Sequence, residues 1–353
     1  MKRADINVGG ASCPVPLSHY ERILLAHGSG GRLTHSLIEK LFLPQFRNEY
    51  LERLHDGAML DLHGTRLAFT TDSYVVSPLF FPGGDIGELA VNGTINDLAM
   101  CGAKPMFLSA GFIVEEGFPV EDLQRIAASM QGAAARADVH IVTGDTKVVE
   151  RGKADKLFIN TAGIGLLADG VTIDPTAIQA GDRILLSGSI AEHGVAILSV
   201  REGLQFETQV ESDTAPLHEL VAQMLRASRK IRVLRDPTRG GVATTLNELA
   251  ASARVGLRIY ESSILVKDEV LGACEVLGLD PLYIANEGKL LAIVAAEDAE
   301  NVLRVMREHP LGRDAAIIGE AVSDHPSTVV MKTSIGGTRV VDMLSGEQLP
   351  RIC

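Results

Sequence analysis

Apolar residues recur along the chain in two periods, which predict strands alternating with helices. Short apolar segments, such as 66–71 and 157–167, predict strands. The segment 120–135 repeats its apolar residues at helical spacing and predicts an amphipathic helix. Asp85 and Glu88 stand at the start of another helical run, where they predict an N-cap and a capping box. Strands interleaved with helices indicate a mixed α/β (α+β) protein.

Breaks in this pattern divide the chain into four segments. Residues 1–22 contain scattered glycines and prolines and are expected to form a loose N-terminal extension. Two α/β domains are predicted, over residues 23–170 and 171–340, because the periodic pattern breaks between them. The last residues, 341–353, are predicted to form a flexible tail.

Composition and charge exclude several classes of function. The formal net charge of −12 argues against nucleic acid as a partner, because Lys and Arg drive that binding by neutralising phosphates. No apolar run is long enough to span a bilayer and none resembles a secretion signal, so we expect no membrane contact and a cytoplasmic location. The histidines, His35 and His193 among them, lack metal-ligand spacing and are interpreted as surface or packing residues.

Four aspartates stand where predicted elements start, end or turn: Asp56, Asp72, Asp97 and Asp145. Each alone could be a turn or cap residue. Carboxylates at strand ends converge when the strands share a sheet, and oxygen ligands of this kind suit Mg²⁺. The four together therefore predict a magnesium site of the kind that holds the phosphates of ATP.

Phosphate binding is indicated at three further places, although no Walker A loop is present. Backbone N–H groups at Gly28, Gly30 and Gly31 could approach a phosphate closely. Lys147 is either a point charge for phosphate oxygens or a solvated surface lysine. Asp236 leads into a predicted helix N-terminus, which is either an anion site or a plain cap.

Two residues near the end of the chain are candidates for the chemistry itself. Glu287 lies beside a glycine before a predicted strand and is either a general base or an ordinary loop acid. Cys353 is the last residue, so its thiol can reach into a second site, and a structural cysteine has no reason to stand there. Cys101 and Cys274 lie in apolar stretches and are expected to be buried and inert, whereas Cys13 lies in the loose extension.

These motifs together resemble the HypE family of nickel–iron hydrogenase maturation proteins. Most are shared with a wider ATP-using superfamily that includes aminoimidazole ribonucleotide synthetase, selenophosphate synthetase and thiamine-monophosphate kinase, and the last four residues narrow the resemblance to HypE. The matching segments are His27-Gly28-Ser29-Gly30-Gly31, Thr71-Asp72-Ser73-Tyr74, Asn96-Asp97-Leu98-Ala99, Gly144-Asp145-Thr146-Lys147-Val148-Val149, Asp236-Pro237-Thr238-Arg239-Gly240-Gly241, Asn286-Glu287-Gly288-Lys289 and Pro350-Arg351-Ile352-Cys353.

The resemblance implies a two-domain fold like that of aminoimidazole ribonucleotide synthetase, with a homodimer formed through the sheet of an ATP-binding N-terminal domain. It also implies that Cys353 receives a carbamoyl group from the carbamoyltransferase HypF. ATP then drives dehydration of this group to a thiocyanate, and the cyano group passes to iron on a HypC–HypD complex. ATP and Mg²⁺ are the implied cofactors.

The resemblance also implies roles for individual residues. Glu287 is the first choice for the general base and Asp97 the second, while Lys147 offsets charge in the transition state. The implied ATP-binding residues are Gly28, Gly30, Gly31, Asp72, Asp97, Asp145, Thr146, Lys147 and Asp236. The implied metal ligands are Asp56, Asp72, Asp97 and Asp145.

Two other functions stay open on the sequence alone. A small-molecule kinase or ligase of the same superfamily would use the aspartates but leave Cys353 without a role. A non-enzymatic thiol carrier would use Cys353 but leave the aspartates and Lys147 without one.

Overall fold

The computed structural model of the chain describes residues 22–204, 209–346 and 351–353. All of the predicted N-terminal extension except Arg22 lies outside these residues, and so does Cys13. Within the described ranges, every helix is too short or too polar to cross a membrane.

The first half of the chain builds one sheet and the helices that cover it. A π-helical turn, Ile38–Phe42, joins the first two helices into one helical segment. The elements are α1 (Arg32–Leu37), α2 (Leu43–Phe46), β1 (Ala58–Leu62), β2 (Thr65–Tyr74), β3 (Phe80–Phe81), β4 (Gly84–Asp85), α3 (Ile86–Met100), β5 (Ala103–Glu115), α4 (Val120–Arg136), β6 (His140–Val149) and β7 (Leu157–Leu167).

Five of these strands form a sheet in the order β1-β2-β7-β5-β6, with β5 and β6 parallel and the other pairs antiparallel. The helix α3 contacts the three central strands and also packs on α4. Its N-terminus is capped as the sequence predicts, because Asp85 Oδ1 accepts hydrogen bonds from the N–H groups of Gly87 (2.7 Å) and Glu88 (3.1 Å). The Glu88 carboxylate pairs with Arg136 of α4, so the predicted capping box does not form.

The other face of this sheet is exposed and apolar at its centre. Phe69 of β2 lies opposite Ile164 of β7, and Ile164 lies opposite Phe107 of β5. The exposed fractions of these three side chains are 42%, 41% and 42%. Alternating residues of a strand point to opposite faces, so these three form one row across three strands.

The second half of the chain forms a larger sheet with helices packed against it. Its elements are β8 (Arg183–Leu186), α5 (Glu192–Arg201), α6 (His218–Ala227), β9 (Ile231–Arg235), α7 (Gly241–Ala253), β10 (Gly256–Tyr260), α8 (Asp268–Leu277), β11 (Leu291–Val294), α9 (Ala296–Glu308), β12 (Ala316–Val322), β13 (Val329–Lys332) and β14 (Thr338–Val341). The seven strands are ordered β14-β13-β10-β12-β8-β11-β9. Two sheets covered by helices confirm the predicted mixed α/β class.

Residues after β14 return to the first half of the molecule. The Leu344 carbonyl accepts a hydrogen bond from the N–H of Arg32 (2.9 Å), and the Gly346 carbonyl accepts one from Ser29 Oγ (3.1 Å). Ile352 is buried in the core beneath the first sheet, with Tyr74 and Ile159 among the residues of that core. The described part of the tail is therefore docked against the body of the protein.

Candidate active site

Three carboxylates from distant parts of the chain meet in a cleft of about 240 Å³. Asp56 precedes β1, Asp97 lies in α3, and Asp236 follows β9. One carboxylate oxygen from each lies within 4.8 Å of the others. The Thr70 hydroxyl lies 2.8 Å from Asp97 Oδ2 and so fixes the orientation of that carboxylate.

Cationic side chains beside the cleft compensate only part of this negative charge. Arg235 Nε lies 2.8 Å from Asp56 Oδ1, and Arg235 Nη2 donates to Glu248 Oε2 at 2.7 Å. His35 Nε2 lies 2.7 Å from the other oxygen of Glu248. One guanidinium therefore serves two acids, and two of the three clustered carboxylates have no ion-pair partner among the described residues.

The excess of acids changes the protonation of the cluster. Burial raises the pKa of Asp56 to about 8, against the charge of Arg235, which lowers it. Burial likewise raises the pKa of Asp236 to about 6, again against Arg235. The pKa of Asp97 is raised by burial and then by the charges of Asp236 and Asp56. Crowded carboxylates of this kind resist ionisation unless a cation joins them.

This donor set fits a hard divalent cation. The three carboxylates supply oxygen ligands, and Asp56 Oδ2 is buried without a hydrogen-bond partner among the described residues. Asp236, predicted as an ATP-binding residue, completes this cluster, whereas Asp145 of the predicted metal set does not lie in it within one chain. Asp72 lines the same cleft, and burial raises its pKa, but it is outside the three-carboxylate cluster.

Asp145 lies elsewhere because β6 is longer than the sequence indicates. Asp145 is expected where a predicted element starts, ends or turns, but β6 continues to Val149 and Asp145 lies inside it. In the sheet order, β7 and β5 separate β6 from the strand that carries Asp72. Three inter-strand steps of about 4.8 Å put roughly 14 Å between the two backbones.

Thr146 and Lys147 are carried by the same exposed strand. Lys147 Nζ donates to both oxygens of Asp145, at 2.7 and 2.6 Å. The side chains of Lys147 and Asp145 are 67% and 69% exposed, and neither of these two residues lines the cleft. Within one chain, the structure therefore does not bring Asp145, Thr146 and Lys147 to the acidic cluster.

The glycine-rich segment borders the cleft through close backbone packing. Gly30 has φ +80°, and a Cβ there would lie 2.7 Å from the Cβ of Arg239. Its N–H donates to Thr34 Oγ1 at 3.0 Å, so this donor is already engaged. A Cβ at Gly31 would clash with the carbonyl of Leu344. Gly28 accepts a hydrogen bond from Arg239 Nη1 at 3.4 Å. These contacts hold the segment against the loop between β9 and α7.

Glu287 is a buried acid held by its main chain. The Glu287 N–H donates to Asp213 Oδ1 (3.1 Å), and the Glu287 carbonyl accepts from Asn96 Nδ2 (3.2 Å). The residue is 3% exposed, and its Oε1 has no hydrogen-bond partner among the described residues. Burial, then the charges of Asp236 and Asp213, raise its pKa well above the usual value. A carboxylate in this environment is a stronger base than an exposed one.

The C-terminal thiol lies in the same region as these acids. Burial raises the pKa of the Cys353 thiol, Arg239 opposes that shift, and Glu287 and Asp72 add to it. The thiol is therefore close enough to the candidate base and to the cleft residues for their charges to act on its pKa. Cys353 is thus a thiol, not a thiolate, in the docked tail.

Several residues that build the site were missed by the sequence analysis. Arg235 and Glu248 form an ion pair beside the cluster, and their positions at the end of β9 and within α7 give no separate signal in the sequence. His193, interpreted as a surface or packing residue, is fully buried and lies 2.8 Å from the carbonyl oxygen of Ile352. Cys101 and Cys274 are buried, as expected.

Two family models match the chain. The model described as "AIR synthase related protein, N-terminal domain" matches residues 54–167, and the model for the C-terminal domain of the same proteins matches residues 179–332. A curated relative, carbamoyl dehydratase HypE of Bradyrhizobium diazoefficiens, is 60% identical over 330 residues, which cover 93% of this chain and 95% of the relative.

Solved structures show the same likeness. A crystal structure of a HypE–HypF complex contains a chain that superposes with a TM-score of 0.84 at 50% identity, covering 87% of this chain and 99% of that one. A crystal structure of the hydrogenase maturation protein HypE in complex with ATP superposes with a TM-score of 0.80 at 52% identity, covering 94% of this chain and all of that one.

Proposed function

The chain belongs to the HypE family of carbamoyl dehydratases, and from this premise we propose that it dehydrates an S-carbamoyl group on its own Cys353 to a thiocyanate, using ATP. The product would supply the cyanide ligand for the iron of a nickel–iron hydrogenase. The single observation that carries the proposal is the docked position of Cys353, whose carboxyl oxygen accepts a hydrogen bond from the N–H of Val75 (3.0 Å), directly after the strand that carries Asp72. The charges of Arg239, Glu287 and Asp72 act on the pKa of its thiol there.

The chemistry requires a better leaving group than an amide oxygen. In the proposed first step, the carbamoyl oxygen attacks the γ-phosphorus of ATP and ADP leaves, which gives an O-phosphorylated intermediate. The nitrogen then loses its two protons in turn, and the C–O bond breaks as inorganic phosphate departs. The product is a cyano group bound to sulfur. The elements of water that the carbamoyl group loses are the same ones that ATP gains when it is converted to ADP and phosphate.

Glu287 is the proposed base that takes a proton from nitrogen. Its burial makes the carboxylate basic, and its main chain is fixed by Asp213 and Asn96. Asp97 is the second choice, but it belongs to the acidic cluster and would be occupied by a cation. Arg239 offers positive charge beside the tail, and its own pKa is raised chiefly by Cys353.

Mg²⁺ is the proposed cation for Asp56, Asp97 and Asp236. When bound there with ATP, it would neutralise phosphate charge. The protein's own contribution is to hold three carboxylates within 4.8 Å of one another and to orient Asp97 through Thr70.

A homodimer is proposed through the exposed face of the first sheet. The row formed by Phe69, Ile164 and Phe107 is an apolar surface of the kind that a second copy covers. Lys147 and Asp145 lie on the edge strand of the same sheet, away from the cleft of their own chain. We propose that each copy lends these residues to the nucleotide site of the other.

Two partners follow from the proposed reaction. HypF, the carbamoyltransferase, would load Cys353, and a solved HypE–HypF complex of a similar protein supports this pairing. A HypC–HypD complex would receive the cyano group. Both require the tail to leave the cleft, so docking and release of residues 351–353 would alternate during turnover.

Removal of Cys353 separates this proposal from the two alternatives. A chain that ends at Ile352 should lose phosphate release from ATP that depends on prior carbamoylation. An ordinary small-molecule kinase would be unaffected by the deletion, and a non-enzymatic carrier would release no phosphate with either chain. Phosphate release measured after incubation with a carbamoyltransferase, for both chains, therefore decides among the three.

A further inference from the structure

The docked tail is held by every one of its last three carbonyl groups. The Arg351 carbonyl accepts from the N–H of Ser77 (3.3 Å) and from Arg201 Nη2 (2.8 Å). The Ile352 carbonyl lies 2.8 Å from His193 Nε2, and a Cys353 carboxyl oxygen accepts from the N–H of Val75 (3.0 Å). Main-chain hydrogen bonds are a common way for proteins to hold a bound peptide.

The side chains of the tail are also recognised. Arg351 Nε donates to the Val75 carbonyl at 2.9 Å, and its guanidinium pairs with Asp155. The same guanidinium lies 5.9 Å from the centre of the Phe158 ring. Ile352 is 4% exposed and packs in the core beneath the first sheet. The site therefore distinguishes an arginine followed by an aliphatic residue.

His193 contacts the tail through a polar atom of its buried ring. Its Nδ1 lies 2.7 Å from Ser212 Oγ, so both ring nitrogens have polar partners. Phe81 meets it edge-on with the ring centres 5.6 Å apart. Burial lowers its pKa, although Asp213 nearby opposes this, so the ring is neutral. A neutral ring that accepts from Ser212 must donate from Nε2 to Ile352, which makes the bond directional.

The residues that make these contacts all lie outside the tail. Val75 and Ser77 follow β2, Asp155 lies between β6 and β7, and His193 and Arg201 lie at the two ends of α5. In the intact chain, the covalent link supplies a high effective concentration of the tail, but it supplies none of these contacts.

We propose that these residues form a binding site for a C-terminal Arg-Ile-Cys peptide, which recognises that sequence even when it is not linked to the chain. Asp155 selects the arginine, the apolar pocket selects the isoleucine, and His193 fixes the carbonyl between them. His193 is thus a positioning residue that fixes where Cys353 lies relative to the candidate base Glu287. The tail of a second copy has the same chemistry and fits the same site.

Competition on the intact chain tests this proposal directly. The probe is a synthetic Leu-Pro-Arg-Ile-Ser peptide with a free carboxyl end, added to the full-length protein at about 10 mM or more so that it exceeds the effective concentration of the linked tail. Alkylation of Cys353 by iodoacetamide is followed by mass spectrometry of the C-terminal fragment. The peptide should displace the tail and accelerate alkylation at least about tenfold, because a thiol of raised pKa reacts slowly until it is released. A peptide with the arginine and isoleucine exchanged is the control.

Direct binding measures the individual contributions. Full-length protein with Ile352→Asp keeps its own tail out of the apolar pocket, and a fluorescent form of the peptide reports binding by anisotropy. A peptide with alanine for isoleucine should bind at least about tenfold more weakly. Asp155→Asn should weaken binding roughly threefold, since that ion pair is partly exposed. His193→Ala should weaken it roughly tenfold, and His193→Gln should restore most of the loss because it keeps a donor.

Melting temperatures of the same variants separate recognition from folding. If His193 only supports the fold, His193→Ala will lower the melting temperature and His193→Gln will not restore peptide binding. The proposal is overturned if the peptide leaves the alkylation rate of Cys353 unchanged, or if the exchanged peptide competes equally well. Neither measurement uses ATP or carbamoylation, so its failure is distinct from failure of the proposed dehydratase activity.

Discussion

Asp213 Oδ1 accepts a hydrogen bond from the main-chain N–H of Glu287 at 3.1 Å, so one buried carboxylate fixes the backbone of another acid. Lys289 Nζ lies 3.1 Å from Asp213 Oδ2, and its charge helps to lower the pKa of Asp213. The pKa of Asp213 is thus lowered, whereas that of its neighbour Glu287 is raised. Divergent pKa values of adjacent acids are characteristic of sites that move protons.

The first prediction concerns Glu287 as the base. Glu287→Gln keeps the size of the side chain but removes its basicity, so dehydration should slow by about 10²–10⁴-fold while ATP affinity stays within a few-fold. Single-turnover assays on the carbamoylated protein measure the rate, and calorimetry measures ATP binding. Glu275→Gln, at an exposed position on α8, is the matched control and should leave both unchanged. Normal turnover of the Glu287→Gln protein would eliminate this assignment.

The second prediction concerns Mg²⁺ and pH. The pKa of Asp56 is raised from 3.8 to about 8, so the protonated acid favours the folded state at low pH. That stabilisation is lost as the pH rises through about 8, because the unfolded chain ionises more readily. A cation that binds the ionised cluster should offset the loss. The rise in melting temperature caused by Mg²⁺ should therefore be larger at about pH 8 than at about pH 5.

Asp97→Asn provides the control for the magnesium prediction. It removes one oxygen charge from the cluster and should abolish most of the increment caused by Mg²⁺. Differential scanning fluorimetry with and without Mg²⁺, across this pH range, makes the measurement. An increment that is the same at both pH values, or the same in Asp97→Asn, would argue against a cation on these three carboxylates.

The third prediction concerns the proposed dimer. Ile164 lies at the centre of the exposed apolar row, so Ile164→Lys places a charge in the interface. The dimer dissociation constant should rise roughly 30-fold or more. Turnover should fall with it, if Lys147 acts on the site of the other copy. Val276→Lys, at a 76% exposed position on α8, is the control. Sedimentation velocity measures the oligomeric state of each protein. The proposal would be contradicted if Ile164→Lys dimerised as strongly as the unmodified protein, or if the unmodified protein were itself a monomer.

The sequence predicted well those features that depend on local signals. The N-cap at Asp85 and the limits of β7 follow from neighbouring residues, and they agree with the structure. Asp145 was misplaced because Gly144 beside it indicates a turn, whereas β6 pairs with β5 through that point. Pairing between strands is a tertiary effect that outweighs local propensity.

The contacts of Asp236 and His193 could not be predicted from the sequence for a related reason. The segment around Asp236 indicates either an anion site or a plain helix cap, but α7 begins at Gly241 and Gly240 is its N-cap. This leaves Asp236 free to join Asp56 and Asp97, which come from the other half of the molecule. His193 contacts Ile352 of the tail, which is 159 positions away in the chain. Contacts over such distances leave no periodic signal in a single sequence.

Intact-mass analysis of the carbamoylated protein before and after addition of ATP tests the central claim most directly. The account predicts the loss of one water from the protein, located by fragmentation on the C-terminal peptide that contains Cys353, with one phosphate released for each chain converted. A carbamoyl group that persists on Cys353 while ATP is hydrolysed, or a water lost from any other peptide, would contradict it.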